Sequence, residues 1–586
     1  RWLEEPYIDE MSAFYRVEAS NFIMENGILN YLHKCQSRLE DEELRASKYL
    51  DSSSQAAVRA ASEEVLIAKN AAKIHGELRW ILEHEQVEHI GRAHELLGRI
   101  ASLEPLQREW RRFVVAYGSK RLQALLATAQ TEGEGNASKR RAKAAGVEAM
   151  QYVESLIEIY SHVTELVHRA LAGSVEFRCI MDKACMDLMR TNCVVEQEKA
   201  GTHFSAQQLA GYLDALLRGS KAKVMTDGEQ EAQVEHCIAL FKLVEDKDVF
   251  RKHYANKLAV RLIDGVSASD YLEQLVLTSL HNACGFDYVS KLRKMVQDVK
   301  LAADCNERFR AYLASRARPP SGREAAQEEL VAAGEYEPAL GLSFSALVLT
   351  TASWPLVEQR QNVILPPELS ACVAAFTRFY NKEHSGRKLV WLHNHSKGDI
   401  ALHGFKKPHV ISMSTYFMTV LLLFNDQDCL SYAELKAKTN LTDADLQYCL
   451  PKLTKCHLLV TLRKDGGTCE GSKLTKSSVF AVNDAFAFKS VRFKIASRGP
   501  QQASAAVAID TRIDQDRVLY LQAAIVRVMK HRKQLTHEAL IVEVLSQSTL
   551  GFKPSVPAIK RCVEKLIEKE YLERLPDSSS TYRYLA

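Results

Sequence analysis

For about 240 residues from Arg1 the apolar side chains recur at helical spacing, and proline interrupts them only at Pro6 and Pro105. Ile74, Leu78, Ile81 and Leu82 stand at i, i+4, i+7 and i+8, and Ile90, Ala93, Leu97 and Ile100 form a second such stripe. One stripe per helix must be buried on a neighbour, so the segment predicts a helical array that acts as a rigid spacer or binding surface. Two bundles of about 110 to 125 residues fit, with polar runs such as TEGEGNASKRR (131–141) as loops. Helical spacing continues to about residue 318, where RARPPSGREAAQ (316–327) breaks it with Pro319, Pro320 and Gly322.

A chain of 586 residues exceeds one core, so several domains are expected. Hydrophobic residues at 46% and charged residues at 26% are the balance of a folded soluble protein. A net charge of +4 gives no dominant nucleic-acid or membrane surface, and no stretch is long and apolar enough to span a bilayer. The sequence opens on Arg1 without a signal-peptide pattern, which leaves room for a fragment whose start is missing. Thirteen cysteines, an odd number with no CxxC among them, read as reduced intracellular thiols; Cys179, Cys185 and Cys193 do not have zinc-site spacing.

The character changes near residue 341. FSALVLTTASW (344–354), RKLVWLHNH (387–395) and GDIALHGF (398–405) read as strands, the last two around a turn at Lys397-Gly398. ELSACVAAFTRFYNKE (368–383) reads as a helix packed on them, giving a small α/β domain. Next, Ser431 and Glu434 form a capping box before one helix, and Leu446, Leu450 and Leu453 mark a second. LLVTL (458–462) and VFAV (479–482) pair across a Gly-rich loop, which is the order of a winged helix. The order recurs with Val556, Ile559, Val563 and Leu566, then YLERL (571–575) and YRYL (582–585). A polar, small-residue linker at about 497–513 separates the two units.

Catalytic motifs fail on inspection. In EHEQVEH (83–89), His84 and His89 are five apart and do not share a helix face as the HExxH zinc motif requires. His393 and His395 lie on one side of an expected strand without a third ligand. GGTCEGSK (466–473) ends Gly-Ser-Lys, the wrong order for a phosphate loop, and lies in a wing. No GxSxG, dinucleotide fingerprint or carboxylate pair stands at a plausible site, so the chain reads as non-catalytic. The helix at 555–569 mixes Lys560, Arg561 and Lys565 with Glu564 and Glu568, a solvated face more often than a DNA reader.

IVRVMKHRK (525–533) poses a narrower question. Leu521, Ala524, Ile525, Val528 and Met529 share one helix face, and Lys530, nine residues after Leu521, points about 180° away. On periodicity alone it is a solvated surface lysine.

Longer motifs give it meaning. DVFRKHYANKLAVRLI (248–263), SASD (267–270) and ACGFDYVSKLRKMVQD (283–298) together resemble the core signature of cullins. ASWPL (352–356), HSGRKLVWL (384–392) and SKGDI (396–400) resemble the cullin α/β region, and 523–574 resembles the cullin terminal winged helix. The resemblance covers nearly the whole chain and is most similar to the class that works with F-box substrate receptors. It implies a mainly α fold: elongated helical repeats, a helical bundle, a small α/β domain and two winged-helix units. The expected divisions are helical cullin repeats at 1–115 (whole or incomplete) and 116–240, and a helical bundle at 241–340. An α/β RING-binding region at 341–412 and a first winged helix with a returning strand at 413–496 follow. The linker at 497–513 then leads to the C-terminal winged helix with its neddylation site at 514–586. Family members usually carry three repeats where this chain has room for roughly two, so the first, adaptor-binding repeat is expected to be absent or to lie outside a fragment.

By the same resemblance the protein is a scaffold of a multisubunit ubiquitin ligase, in the cytoplasm and nucleus, with no catalytic residue, metal or cofactor of its own. Its implied partners are a small RING protein, a ubiquitin-conjugating enzyme brought by the RING, a ubiquitin-like modifier with its conjugation and removal machinery, and a substrate-receptor module; no membrane and no nucleic acid are implied. A RING strand would add to the α/β sheet, with Leu347, Leu349, Trp391 and Leu392 on the candidate strands, though each equally suits an ordinary core. Lys530 matches the lysine that accepts the modifier through an isopeptide bond, and Arg527, Arg532 and Lys533 would guide an acidic enzyme surface to it. Modification would shift a closed state to an open one through the linker. Two other classes fit the residues less closely: a winged-helix nucleic-acid regulator, and a helical scaffold subunit that binds no RING and is not modified.

Overall fold

A computed structural model describes residues 4–134, 149–197, 201, 203–218, 226–316, 340–356, 362–403, 405, 407–462, 468–469, 478–483, 485–488, 490–495, 501–546, 552, 554–575 and 578–585. The chain forms two compact units, Arg1–Val289 with Asp516–Ala586, and Ser290–Gln515.

The first unit opens with helices α1 (Glu4–Tyr49), α2 (Ser52–Leu66), α3 (Ala71–Glu83), α4 (Val87–Arg99), α5 (Glu104–Glu134), α6 (Ala149–Ala170), α7 (Val175–Arg190) and α8 (Cys193–Gln197). It continues with α9 (Phe204–Leu217), α10 (Asp227–Leu243), α11 (Lys247–Asp264), α12 (Asp270–Cys284) and the start of α13 (Phe286–Arg316). Helix α1 is a hairpin of two arms. Gly27, at φ 76 and ψ 171, reverses the chain in a region open essentially to glycine alone. Across the arms Arg38 reaches Glu18 at 2.6 Å and the Tyr15 hydroxyl donates to Glu42 at 2.6 Å. The α3 stripe Ile74, Leu78, Ile81 and Leu82 is buried as periodicity requires, as are Ile90, Ala93 and Leu97 of α4. His84 closes α3 and His89 lies in α4, so the two belong to different helices. Helix α5 carries on to Glu134 through the start of the expected loop at 131–141, the rest of which lies outside the described residues.

Arg261 of α11 is fully buried. Its guanidinium donates to Asp214 of α9 at 2.6 Å and to both Glu273 oxygens of α12, at 2.8 and 3.0 Å. One cation thus clamps three helices, and the bidentate fork satisfies carboxylates that could not be buried alone. Gly265 then ends α11 in the left-handed conformation, φ 61.

The second unit begins inside α13 and adds α14 (Pro367–Glu383), α15 (Thr415–Leu422), α16 (Tyr432–Thr439) and α17 (Asp443–Lys455). Strand β1 (Lys397–Leu402) pairs antiparallel with β2 (His409–Ser414), Lys397 opposite Ser414. The expected partner of GDIALHGF was RKLVWLHNH; instead 387–392 forms no strand, His393–His395 make the turn, and β1 turns to a strand that the reading missed. FSALVLTTASW likewise forms no strand: 344–350 belong to no sheet and 351–354 make a turn. Strands β3 (Cys429–Ser431), β4 (Leu459–Leu462), β5 (Thr468–Cys469) and β6 (Val479–Val482) form a sheet in the order β3-β6-β4-β5. The Ser431–Glu434 capping box is present, Leu446, Leu450 and Leu453 are buried, and β4 pairs with β6, the order expected of a winged helix. Most of the Gly-rich loop between them lies outside the described residues. Strand β7 (Arg492–Lys494) returns parallel to β2.

Helix α18 (Gln501–Arg532) then runs from the second unit into the first, followed by β8 (Gln534–Thr536), α19 (His537–Ser546), α20 (Val556–Glu568), β9 (Leu572–Leu575) and β10 (Ser578–Tyr584), with sheet order β8-β10-β9. The segment read as an irregular linker at 497–513 is therefore helical from Gln501 onward. QQASAAVA is small and polar, which resembles a linker in composition, but alanine and glutamine are strong helix formers. No helix among the described residues is long and apolar enough to cross a membrane.

Candidate functional site

Lys530 stands in the last turn of α18, where the carbonyl end of the helix favours a cation. Leu521, Ala524, Ile525, Val528 and Met529 are all buried, joined by Leu540 and Val544 of α19 and Ile559, Val563 and Leu566 of α20. Lys530 is exposed on the opposite face, and its side-chain amine makes no hydrogen bond or ion pair with any described residue. The next residues turn the chain sharply. Lys533 adopts φ 67, its N–H donates to the Met529 carbonyl at 2.8 Å, and its own carbonyl accepts from Tyr584 of β10 at 3.0 Å. This closure ties the end of α18 to the sheet. Of the cations expected around Lys530, Arg532 is engaged by Glu543 at 2.9 Å and Lys533 lies over the Tyr584 ring at 5.4 Å, while Arg527 is exposed. The positive surround is thus partly answered by neighbours.

The second candidate surface belongs to the other unit. Phe344, Val348, Leu389 and Trp391 pack on Phe309 of α13 and on Phe376, Phe379 and Tyr380 of α14. Trp391 donates its indole N–H to Thr377 at 3.3 Å and meets Phe376 edge-on at 5.9 Å, so its ring is a packing group. Leu347 faces the other way, 42% exposed, and Val390 is 53% exposed; Leu349 and Leu392 are half-buried.

Helix α13 does for this segment what a neighbouring strand does in a sheet. Asn306 donates its side-chain N–H to the Ala346 carbonyl at 2.9 Å and accepts from the Ala346 N–H at 2.8 Å. Two turns earlier, buried Asp298 accepts from the Thr350 N–H at 2.8 Å and from the Trp354 indole at 2.9 Å. Among the described residues, the backbones of Leu347, Val348, Leu349 and 387–391 make no backbone hydrogen bond. The 346–354 segment is thereby pinned by α13, and beside the Trp391 side-chain anchor 387–391 also keeps backbone groups without a described backbone partner, the condition for adding a strand.

Sequence reasoning missed three groups. Asn306 and Asp298 gave no signal beyond being polar residues in a long helix. Arg517 of α18 did give one: it stands four residues before Leu521 and eight before Ile525, on the apolar stripe where an arginine needs an explanation. Its guanidinium takes both oxygens of Asp248, each at 2.7 Å, and Asp246 at 2.7 Å. His203 holds the other oxygen of Asp246 at 2.9 Å. The Asp246 hydrogen bond raises the His203 pKa above its usual range, against burial and the Arg517 charge. Burial would raise the Asp246 pKa, yet His203 and Arg517 hold it below the ordinary carboxylate value.

Comparison with known proteins finds similarity along nearly the whole chain. Residues 1–306 match the cullin alpha solenoid domain, 348–486 the cullin alpha+beta domain, and 516–578 the cullin protein neddylation domain. The chain is 34% identical to Cullin-1 of Dictyostelium discoideum over 590 residues, all of this chain and 71% of that protein. It is 33% identical to Cullin-1 of Schizosaccharomyces pombe and 29% to Cullin-1 of Caenorhabditis elegans, in each case over the whole of this chain and 71% and 70% of the relative.

Proposed function

The chain belongs to the cullin family, and on that premise we propose that it is the non-catalytic scaffold of a ubiquitin ligase, with a small RING protein on its α/β region and a ubiquitin-like modifier on Lys530. The observation that carries the acceptor assignment is the exposed, unpartnered Lys530 opposite five buried apolar residues, within the segment similar to a neddylation domain. An isopeptide bond needs an amine that a conjugating enzyme can approach and whose product leaves the core undisturbed, and this position meets both demands. For the RING, the open backbone at 347–349 and 387–391 offers hydrogen bonds, and Leu347, Leu349 and Leu392 offer side-chain contacts, with Trp391 fixing its segment from behind. The similarity to three Cullin-1 chains supports an F-box type of substrate receptor on the helical repeats. The divisions drawn from the sequence belong to this reading, with α18 in place of a linker, as do action in the cytoplasm and nucleus and recruitment of the conjugating enzyme through the RING.

Intact mass decides the acceptor assignment. The chain is incubated with a small RING protein and the modifier's conjugation enzymes, beside Lys530→Arg. One added modifier that is absent from the variant is the expected result. Addition to both proteins, or to neither when RING binding is shown separately, removes Lys530 from the proposal.

A further inference from the structure

The terminal domain is attached to the helical bundle in an unusual way. Its apolar cluster is built from residues 518–584, and no described residue before Val518 contributes to it. What reaches across is charge. Arg517 forks onto Asp248 and bonds Asp246, while its guanidinium lies over the Phe552 ring at 4.7 Å, and Phe552 belongs to the terminal cluster. Beside it, Lys252 pairs with Asp516. Arg517 is 17% exposed, with its carboxylate partners at 17% and 14%, so water screens the joint only in part.

The partner side is arranged for this contact. Asp248 lies in the first turn of α11, where the helix dipole favours a carboxylate. Asp246 is the N-cap residue of the same helix, yet its side chain caps nothing. Both its oxygens are instead committed to His203 and Arg517. An aspartate that forgoes its local bond for a distant arginine marks a contact with a purpose beyond helix capping.

From this geometry we infer that Arg517 is the positioning residue of the acceptor helix: bridging Asp246, Asp248 and Phe552, it sets where α18 and the Lys530 amine are held on the bundle, through a charged joint. The inference rests on the reading of Lys530 as acceptor for its consequence, but not for the joint itself. Lys530 is 13 residues along the same helix, about 20 Å from Arg517. A change in how Arg517 is held therefore moves the amine without altering its chemistry.

The test uses the full chain. Hydrogen exchange read by mass spectrometry follows peptides covering 244–254 and 512–522 in the parent, Arg517→Ala, Arg517→Lys, Asp246→Asn/Asp248→Asn, and the combined Arg517→Ala/Asp246→Asn/Asp248→Asn variant. Arg517→Ala and the double asparagine variant exchange faster in both peptides, by about ten-fold or more, because each leaves half of a part-buried pair. Arg517→Lys, which keeps the charge and loses the fork, falls between. The combined variant falls well short of the sum of the two, since both remove the same ion pairs and each alone loses only one further contact, with Phe552 or with His203. In modifier transfer to Lys530, Arg517→Ala raises the KM for the charged conjugating enzyme and leaves kcat in place, and Arg517→Lys restores part of it. Parent-like exchange in Arg517→Ala, or additive effects in the combined variant, overturns the joint; lost protection with KM unmoved overturns the positioning role. If the parent accepts no modifier, the acceptor reading fails while the exchange data still decide the joint.

Discussion

At the scale of single residues, the polar groups that matter most are those the apolar pattern could not explain. The exposure of Lys530 was legible because five buried positions fix the phase of its helix and leave it opposite them. Arg517 was legible in principle, an arginine on the wrong face, but its partners lie about 270 residues away and periodicity has no access to them. Arg261 is the extreme case. It sits in the stretch that carries the cullin resemblance, and the structure gives the physical reason for its presence: it neutralises Asp214 and Glu273 at the meeting of three helices. Replacing it with methionine keeps much of the bulk and strands the buried Glu273 without a cation, while Asp214 keeps Arg218 at 2.9 Å. Arg261→Met is expected to lose roughly 3–5 kcal/mol, read as a lower urea midpoint, with part recovered when Glu273→Gln is added. An unchanged midpoint would mean that the network contributes nothing net to stability.

At the scale of elements, helices and the two wing hairpins were read well and the strands of the α/β region poorly, for a reason that lies in their hydrogen bonds. A helix satisfies its backbone locally, so its period and caps are written in contiguous residues; the Ser431–Glu434 box and the α3 stripe show this. A strand needs a partner from elsewhere. The extended segments at 344–350 and 387–392 have strand-like residues, and alternate between the aromatic core and the outside, yet lack a ladder because their neighbours are helices. Asn306 supplies for Ala346 the two bonds that a strand would have supplied. The outward residues are then where partner binding can be separated from folding. Leu347→Asp with Leu349→Asp should weaken the RING protein by about ten-fold or more in calorimetry, because a carboxylate buried at the new interface finds no partner. Circular dichroism should stay like the parent's, as neither side chain belongs to the aromatic cluster. Parent-like affinity would move the RING site elsewhere.

At the scale of the molecule, the division into two units falls inside helices, between Val289 and Ser290 in α13 and between Gln515 and Asp516 in α18. A flexible linker before the terminal domain would let modification act by freeing it. A helix running from Gln501 to Arg532 changes that mechanism, because it couples the residues near its start to Lys530 near its end. Softening the helix should sever this path. Ala505, Ala506 and Ala508 lie in its first turns, and glycine at each costs about 1 kcal/mol of helix stability. The triple glycine variant should bind the RING protein and accept the modifier like the parent, yet lose most of the stimulation of ubiquitin transfer that modification brings. Full stimulation in the glycine variant would show that α18 is a tether only, and that modification acts where it is attached.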